Sequence, residues 1–137
     1  MKRKIEFRGF GISDKKWHYG FLTIYESGKN IVGGFEVYPK SVGEYTGLKD
    51  KNGKEVYEGD ILDITYFLTQ NKGIVKFGKY KQCDMSNDYE CGNQGFYVDV
   101  TNDKHGSYRH DLYFYAGKSE VIGSIFSNPE LLQEVSQ

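Results

Sequence analysis

In 137 residues the chain has two cysteines, two prolines, one tryptophan and a single alanine. Each scarcity excludes something. Two cysteines in a reducing compartment are expected as thiols, not as a structural staple. One alanine and few leucines leave little material for helices, while 17 glycines, 12 tyrosines and 9 phenylalanines favour strands and turns. An excess of charge of either sign is also missing. With 18 basic and 19 acidic residues the formal net charge is −1 and the pI is near 6.3, so no global field draws the chain to nucleic acid or to a membrane surface. No apolar run approaches the roughly 18 residues that a membrane span needs. The basic opening Met1-Lys2-Arg3-Lys4-Ile5-Glu6-Phe7 lacks the apolar region and cleavage site of a signal peptide, so a cytoplasmic protein with no membrane contact is expected. Neither Gly-x-Ser-x-Gly nor a Walker-type phosphate loop occurs.

What is present is turn chemistry. Tyr45 to Ile61 holds three turn signals: Thr46-Gly47, Asn52-Gly53 and Glu58-Gly59-Asp60. Asn-Gly between strand-like flanks predicts a tight hairpin, because both residues tolerate positive φ. Gly59-Asp60 then opens the most apolar strand, Ile61 to Phe67. Upstream, Lys4 to Phe10 alternates with Ile5, Phe7 and Gly9 on one side and Glu6 and Arg8 on the other. Trp17 to Tyr25 predicts a second strand, turned back by Glu26 to Asn30 into Ile31-Val32. Gly33-Gly34 predicts a bulge or bend before Phe35 to Tyr38, and Pro39 ends that strand or places it at an edge.

Downstream, Ile61–Phe67 and Ile74–Phe77 form a looser hairpin, with Phe77 expected in the core. Residues Gly78 to Gln94 read as a long exposed loop that carries both cysteines. Strands follow over Phe96–Val100, Tyr108–Tyr115 and Glu120–Phe126. Asn128 as N-cap and Pro129 at the first helical position then predict a short terminal helix. The expected fold is one mainly-β domain over residues 1–137: N-terminal strands in 1–42, antiparallel strands forming a small, SH3-like barrel core in 43–126, and the helix in 127–137.

The run from Tyr45, Thr46, Gly47 and Leu48 through Asp50, Asn52 and Gly53 to Tyr57, Glu58, Gly59 and Asp60 resembles the signature of the YopX family of phage and prophage proteins. Lys4-Ile5-Glu6-Phe7-Arg8 and the stretch Glu120 to Leu132 fit the same family, in its order. The resemblance implies an origin in a bacteriophage or integrated prophage, and self-association; it brings no catalytic positions. Residues 78–94 depart most from the family pattern.

Three constellations compete for chemistry. Cys83, Cys91, His105 and His110 read Cys-x7-Cys-x13-His-x4-His, whose histidine spacing suits zinc but whose cysteine spacing does not; no metal and no cofactor is expected. Glu55, Glu58, Asp60 and Asp63 could form an acid/base pair or a magnesium site, yet Asp60 can equally close the Gly59 turn through its own side chain. Lys72, Lys76, Lys79 and Lys81 interleave with aromatics in the manner of single-strand binders, with Lys2, Arg3, Lys4 and Arg8 at the other end of the chain. Lysines on an edge strand also guard against aggregation.

The preferred reading is a non-enzymatic accessory protein that works through contacts with a phage or host protein, or with its own copies. Tyr108, Tyr113 and Tyr115 are the expected interface, since tyrosine is enriched at such surfaces. Nucleic-acid binding is the alternative.

Overall fold

A computed structural model describes residues 4–64, 72–81, 92–100 and 111–136. The mainly-β, antiparallel expectation holds. Among the described residues, eleven strands make three sheets. The first orders β2 (Trp17–Gly20), β1 (Phe7–Phe10), β6 (Gly43–Lys49) and β7 (Glu55–Tyr57). The second orders β10 (Gly92–Val100), β9 (Lys72–Lys81), β8 (Asp60–Asp63) and β11 (Glu120–Ser124). The third is a meander of β3 (Leu22–Ile24), β4 (Asn30–Val32) and β5 (Phe35–Val37).

The expected SH3-like barrel does not close among these residues. Strands β6 and β7 pair into the N-terminal sheet through β1, whereas β8 joins β9 and β11. The cause is the turn between β7 and β8. Gly59 sits at φ 93°, a left-handed conformation that only glycine adopts without strain, and it swings the chain out of one ladder into the other. Because β1 pairs with β6, two of the strands before residue 43, β1 and β2, belong to the same sheet as the central hairpin.

Local signals explain most hairpins. Gly33 and Gly34 have φ 59° and 88° and join Val32 to Phe35 in a two-residue turn, so of the expected bulge or bend the chain takes the bend, as a primed-type hairpin. Gly9 faces β5: a Cβ there would lie 2.6 Å from Val37 Cγ2. This close approach seats the meander on the first sheet.

Two expectations fail downstream. The long loop proposed for 78–94 is ladder at both ends, since β9 runs to Lys81 and pairs with β10 from Gly92; residues 82–91 lie outside the described residues. Leu112–Ala116, expected as strand, is one turn of α-helix (α1). Leu112, Tyr115 and Ala116 are buried and Tyr113 exposed, which is the i, i+3, i+4 spacing of a helix and not a strand alternation. These three join Leu62, Ile64, Val75, Val98, Val100 and Val121, with Val56 of β7, in the core that the second sheet and α1 share with the first sheet. The C-terminal helix is present as a 3₁₀ helix over Pro129–Ser136.

Candidate functional site

The Glu58-Gly59-Asp60 turn ties several parts of the molecule together. Gly59 donates its N–H to the Val75 carbonyl at 2.8 Å and accepts from Ile125 N–H at 2.9 Å, while Glu58 N–H reaches the Glu44 carbonyl at 3.0 Å. Asp60 is 1% exposed. Its Oδ2 accepts the Tyr57 N–H at 2.7 Å, which closes the turn as the sequence suggested. Its Oδ1 does something the sequence did not suggest: it pairs with Arg8 Nη2 at 2.6 Å. Arg8, read from alternation as an outward-facing residue of a basic N-terminus, is 8% exposed. Its guanidinium carbon lies 4.6 Å from the centre of the Trp17 ring and 5.0 Å from that of Tyr57, so the charge is held against two aromatic faces. Burial pushes the Asp60 carboxyl above its ordinary range, and the guanidinium and the Tyr57 N–H pull it back.

A second buried carboxylate anchors the hairpin. Asp50 Oδ1 accepts the N–H groups of Asn52 at 2.8 Å and Lys54 at 2.9 Å, which shapes the Asn-Gly turn. Asp50 Oδ2 accepts Val121 N–H at 3.0 Å, which joins that turn to β11. Within β6 the Thr46 hydroxyl donates to the Val56 carbonyl and accepts from Leu48 N–H. With Gly47 at φ 88°, this accounts for the break in register between Tyr45 and Lys49.

Beside Arg8 opens a cleft of about 150 Å³, walled by Trp17, Val42, Ile125 and Phe126 and rimmed by Lys40 and Glu58. Glu58 is half-buried. Desolvation raises its pKa, with neighbouring Glu44 adding to the effect, and a backbone hydrogen bond at Glu44 opposes it. The native carboxyl therefore keeps its proton to higher pH than in the unfolded chain, so its contribution to stability falls as pH rises through and above the ordinary carboxylate range. A Glu58→Gln variant, which cannot ionise, is expected to gain no more than about 3 °C in Tm at neutral pH and nothing below that range. Thermal melts across pH check this; an equal gain at all pH values would contradict it.

A model of the YopX protein family matches residues 6–133, nearly the whole chain. The chain belongs to the YopX protein family. No curated protein matches it. The crystal structure of protein EF1440 from Enterococcus faecalis is similar, with a TM-score of 0.53 and 20% sequence identity over 96% of this chain and 99% of that one. That likeness concerns the fold.

Measured against the YopX framework, the sequence-derived candidates separate. Tyr45, Tyr57, Asp50 and Asp60 of the family motif are buried, and Gly47, Gly53 and Gly59 all take positive φ. The motif is a folding device. Its acidic neighbours do not act as a group: Glu55 pairs with Lys4 at 2.8 Å, while Asp63 lies opposite Lys72 and Glu120 in the ladders. Among the described residues no cluster of His, Cys, Asp or Glu could hold a metal ion; Cys83, Cys91, His105 and His110 lie outside them.

The lysine stripe is partly engaged. Lys72 Nζ donates to the Leu131 carbonyl at 2.6 Å and Lys76 pairs with Asp99 at 2.6 Å; Lys79 is exposed, and the Lys81 side chain lies outside the described part. Phe77, expected in the core, is half-exposed and meets Phe96 edge-on at 5.0 Å. Of the tyrosines, Tyr113 is 81% exposed but Tyr115 is a core residue and offers no surface; Tyr108 lies outside the described residues. Sequence reasoning missed Arg8 and the exposed apolar residues of the N-terminal strands. Arginine occurs only three times among the 18 basic residues, and that rarity was the one available signal for a buried role.

Proposed function

We propose that this chain is a non-enzymatic accessory protein of a phage or prophage that acts through protein contacts, self-association first among them. One observation carries the reading. Five of the nine large apolar side chains that stand exposed among the described residues fall between Tyr19 and Phe35: Tyr19, Phe21, Ile24, Tyr25 and Phe35. Ile24 lies in β3, an edge strand of the meander, and Phe21 and Tyr25 adjoin it in sequence; Phe21 is 81% exposed. Residues Leu22–Ile24 carry neither the lysine nor the proline with which natural edges are blunted. An unguarded edge with aromatic neighbours suits strand addition by a partner chain. Nucleic-acid binding through residues 72–81 is less favoured, because Lys72 and Lys76 are occupied within the molecule.

Sedimentation velocity of the full chain tests the reading. The mass is expected to rise with concentration in the range of about 10–50 µM, where modest interfaces associate. A double variant, Phe21→Glu with Ile24→Lys, is expected to stay monomeric while its stability changes by no more than about 0.5 kcal/mol. A wild-type chain that is monomeric throughout, or a variant that associates equally, would overturn self-association through this edge.

A further inference from the structure

Arg8, which lines the cleft, carries an unsatisfied group. Arg8 Nε is buried and has no hydrogen-bond acceptor among the described residues, although the same guanidinium is paired through Nη2 with Asp60. A buried donor without an acceptor costs roughly 1–3 kcal/mol, and native proteins rarely leave one unless something else supplies the partner. The surroundings of the cleft say what could. Trp17 and Phe126 meet edge-on at 6.1 Å, and with Val42 and Ile125 they line the cleft with apolar surface. Its volume of about 150 Å³ is close to that of a cavity that takes a benzene-sized molecule. Ser124 is buried, and its hydroxyl accepts Ser127 N–H at 3.0 Å, which leaves its own proton to donate.

Charge selects further. Asp60 balances Arg8 and Asp99 balances Lys76, so Lys40 is the lining cation without an ion pair among the described residues. Against it stands one half-buried carboxyl, Glu58. A dianion would face that carboxyl with a single free cation to balance two charges. A ligand bearing one negative charge and a compact apolar body fits both sets of walls.

We infer that this cleft is a binding site for a small monocarboxylate, with its apolar body against Trp17 and Phe126 and its carboxylate toward Arg8 and Lys40. The site goes beyond the protein-contact reading and does not depend on it: the exposed residues around β3 take no part in the cleft.

Trp17 is the only tryptophan, so its emission reports on the cleft alone when excited at the red edge where tyrosine is silent. Titration of the full chain with benzoate is expected to change that emission saturably, with a Kd of about 1 mM. Lys40→Glu is expected to weaken benzoate binding and Glu58→Gln to tighten it, each by up to about fivefold. Absence of saturation at about 20 mM benzoate, well beyond the expected Kd, would overturn the site. So would an equal response to benzamidine or benzamide, which lack the negative charge. Stronger binding of inorganic phosphate than of benzoate would overturn the assigned ligand class. Unchanged affinity in both variants would show that neither rim charge takes part, which also contradicts the proposal.

Discussion

Replacing Arg8 with alanine is expected to lower the unfolding free energy by about 3–5 kcal/mol, the usual cost of removing one partner from a buried ion pair. The size follows from what stays behind. Asp60, 1% exposed in the native protein, keeps the Tyr57 N–H on one oxygen, and its other oxygen loses the guanidinium. The faces of Trp17 and Tyr57 lose the cation between them. Since a domain of this size is held by roughly 5–15 kcal/mol in all, such a loss uses much of its margin. Arg8→Lys is expected to recover only a small part, because an ammonium can neither span the Asp60 carboxylate and two rings nor present a planar face to them. Urea unfolding followed by Trp17 emission measures the loss. A cost below about 1 kcal/mol, in the range of surface pairs, would mean that the pair is solvated in solution.

Asp50→Ala is expected to be comparably severe, at about 3–5 kcal/mol. One carboxylate accepts three backbone N–H groups, from Asn52, Lys54 and Val121, and alanine leaves each without its acceptor; a buried orphan costs roughly 1–3 kcal/mol. Water can reach the turn donors, since Asn52, Gly53 and Lys54 are exposed, so the sum stays near the lower part of the additive range. Val121 is buried and its N–H gains no such relief. Asp50→Asn separates the two roles. Its oxygen can serve the Asn52 and Lys54 donors, but its NH₂ would then face the Val121 N–H, donor against donor. An intermediate loss is therefore expected, with amide exchange accelerated at Val121 more than at Lys54. Equal protection at both amides in the Asn variant would contradict the division of labour between the two oxygens.

The parts of this fold that were legible in the sequence are those fixed by local chemistry. Asn52-Gly53 places the hairpin because its φ requirement is met within the turn itself, and Gly59-Asp60 marks the chain reversal for the same reason. Pro39 ends β5 by removing a donor. What stayed illegible depends on distant partners. Alternation along β1 assigned Arg8 to the outside, and nothing near it in the sequence announces a carboxylate across the sheet. Three of the five residues of α1, Tyr113, Phe114 and Tyr115, are aromatic and β-prone, and the helical burial of Leu112, Tyr115 and Ala116 comes from the core they complete. Barrel closure was inferred from strand spacing, but spacing does not say which ladder a strand joins, and Gly59 sends β8 away from β7. The candidate cleft was invisible for a related reason: Arg8, Trp17, Lys40, Glu58 and Ser124 come from five separate segments, and none belongs to a recognisable motif of chemistry.

Asp60 of the YopX motif locks the N-terminal strand to the core through its ion pair with Arg8. A double-mutant cycle with Arg8→Met and Asp60→Leu tests this most directly. Each single variant strands a buried charge, whereas the double variant strands none and replaces the pair with apolar side chains of similar size. The expected result is a coupling energy of at least about 2 kcal/mol, with the double variant more stable than either single one. Additive losses, with a coupling near zero, would show that the two side chains act independently and would contradict the account.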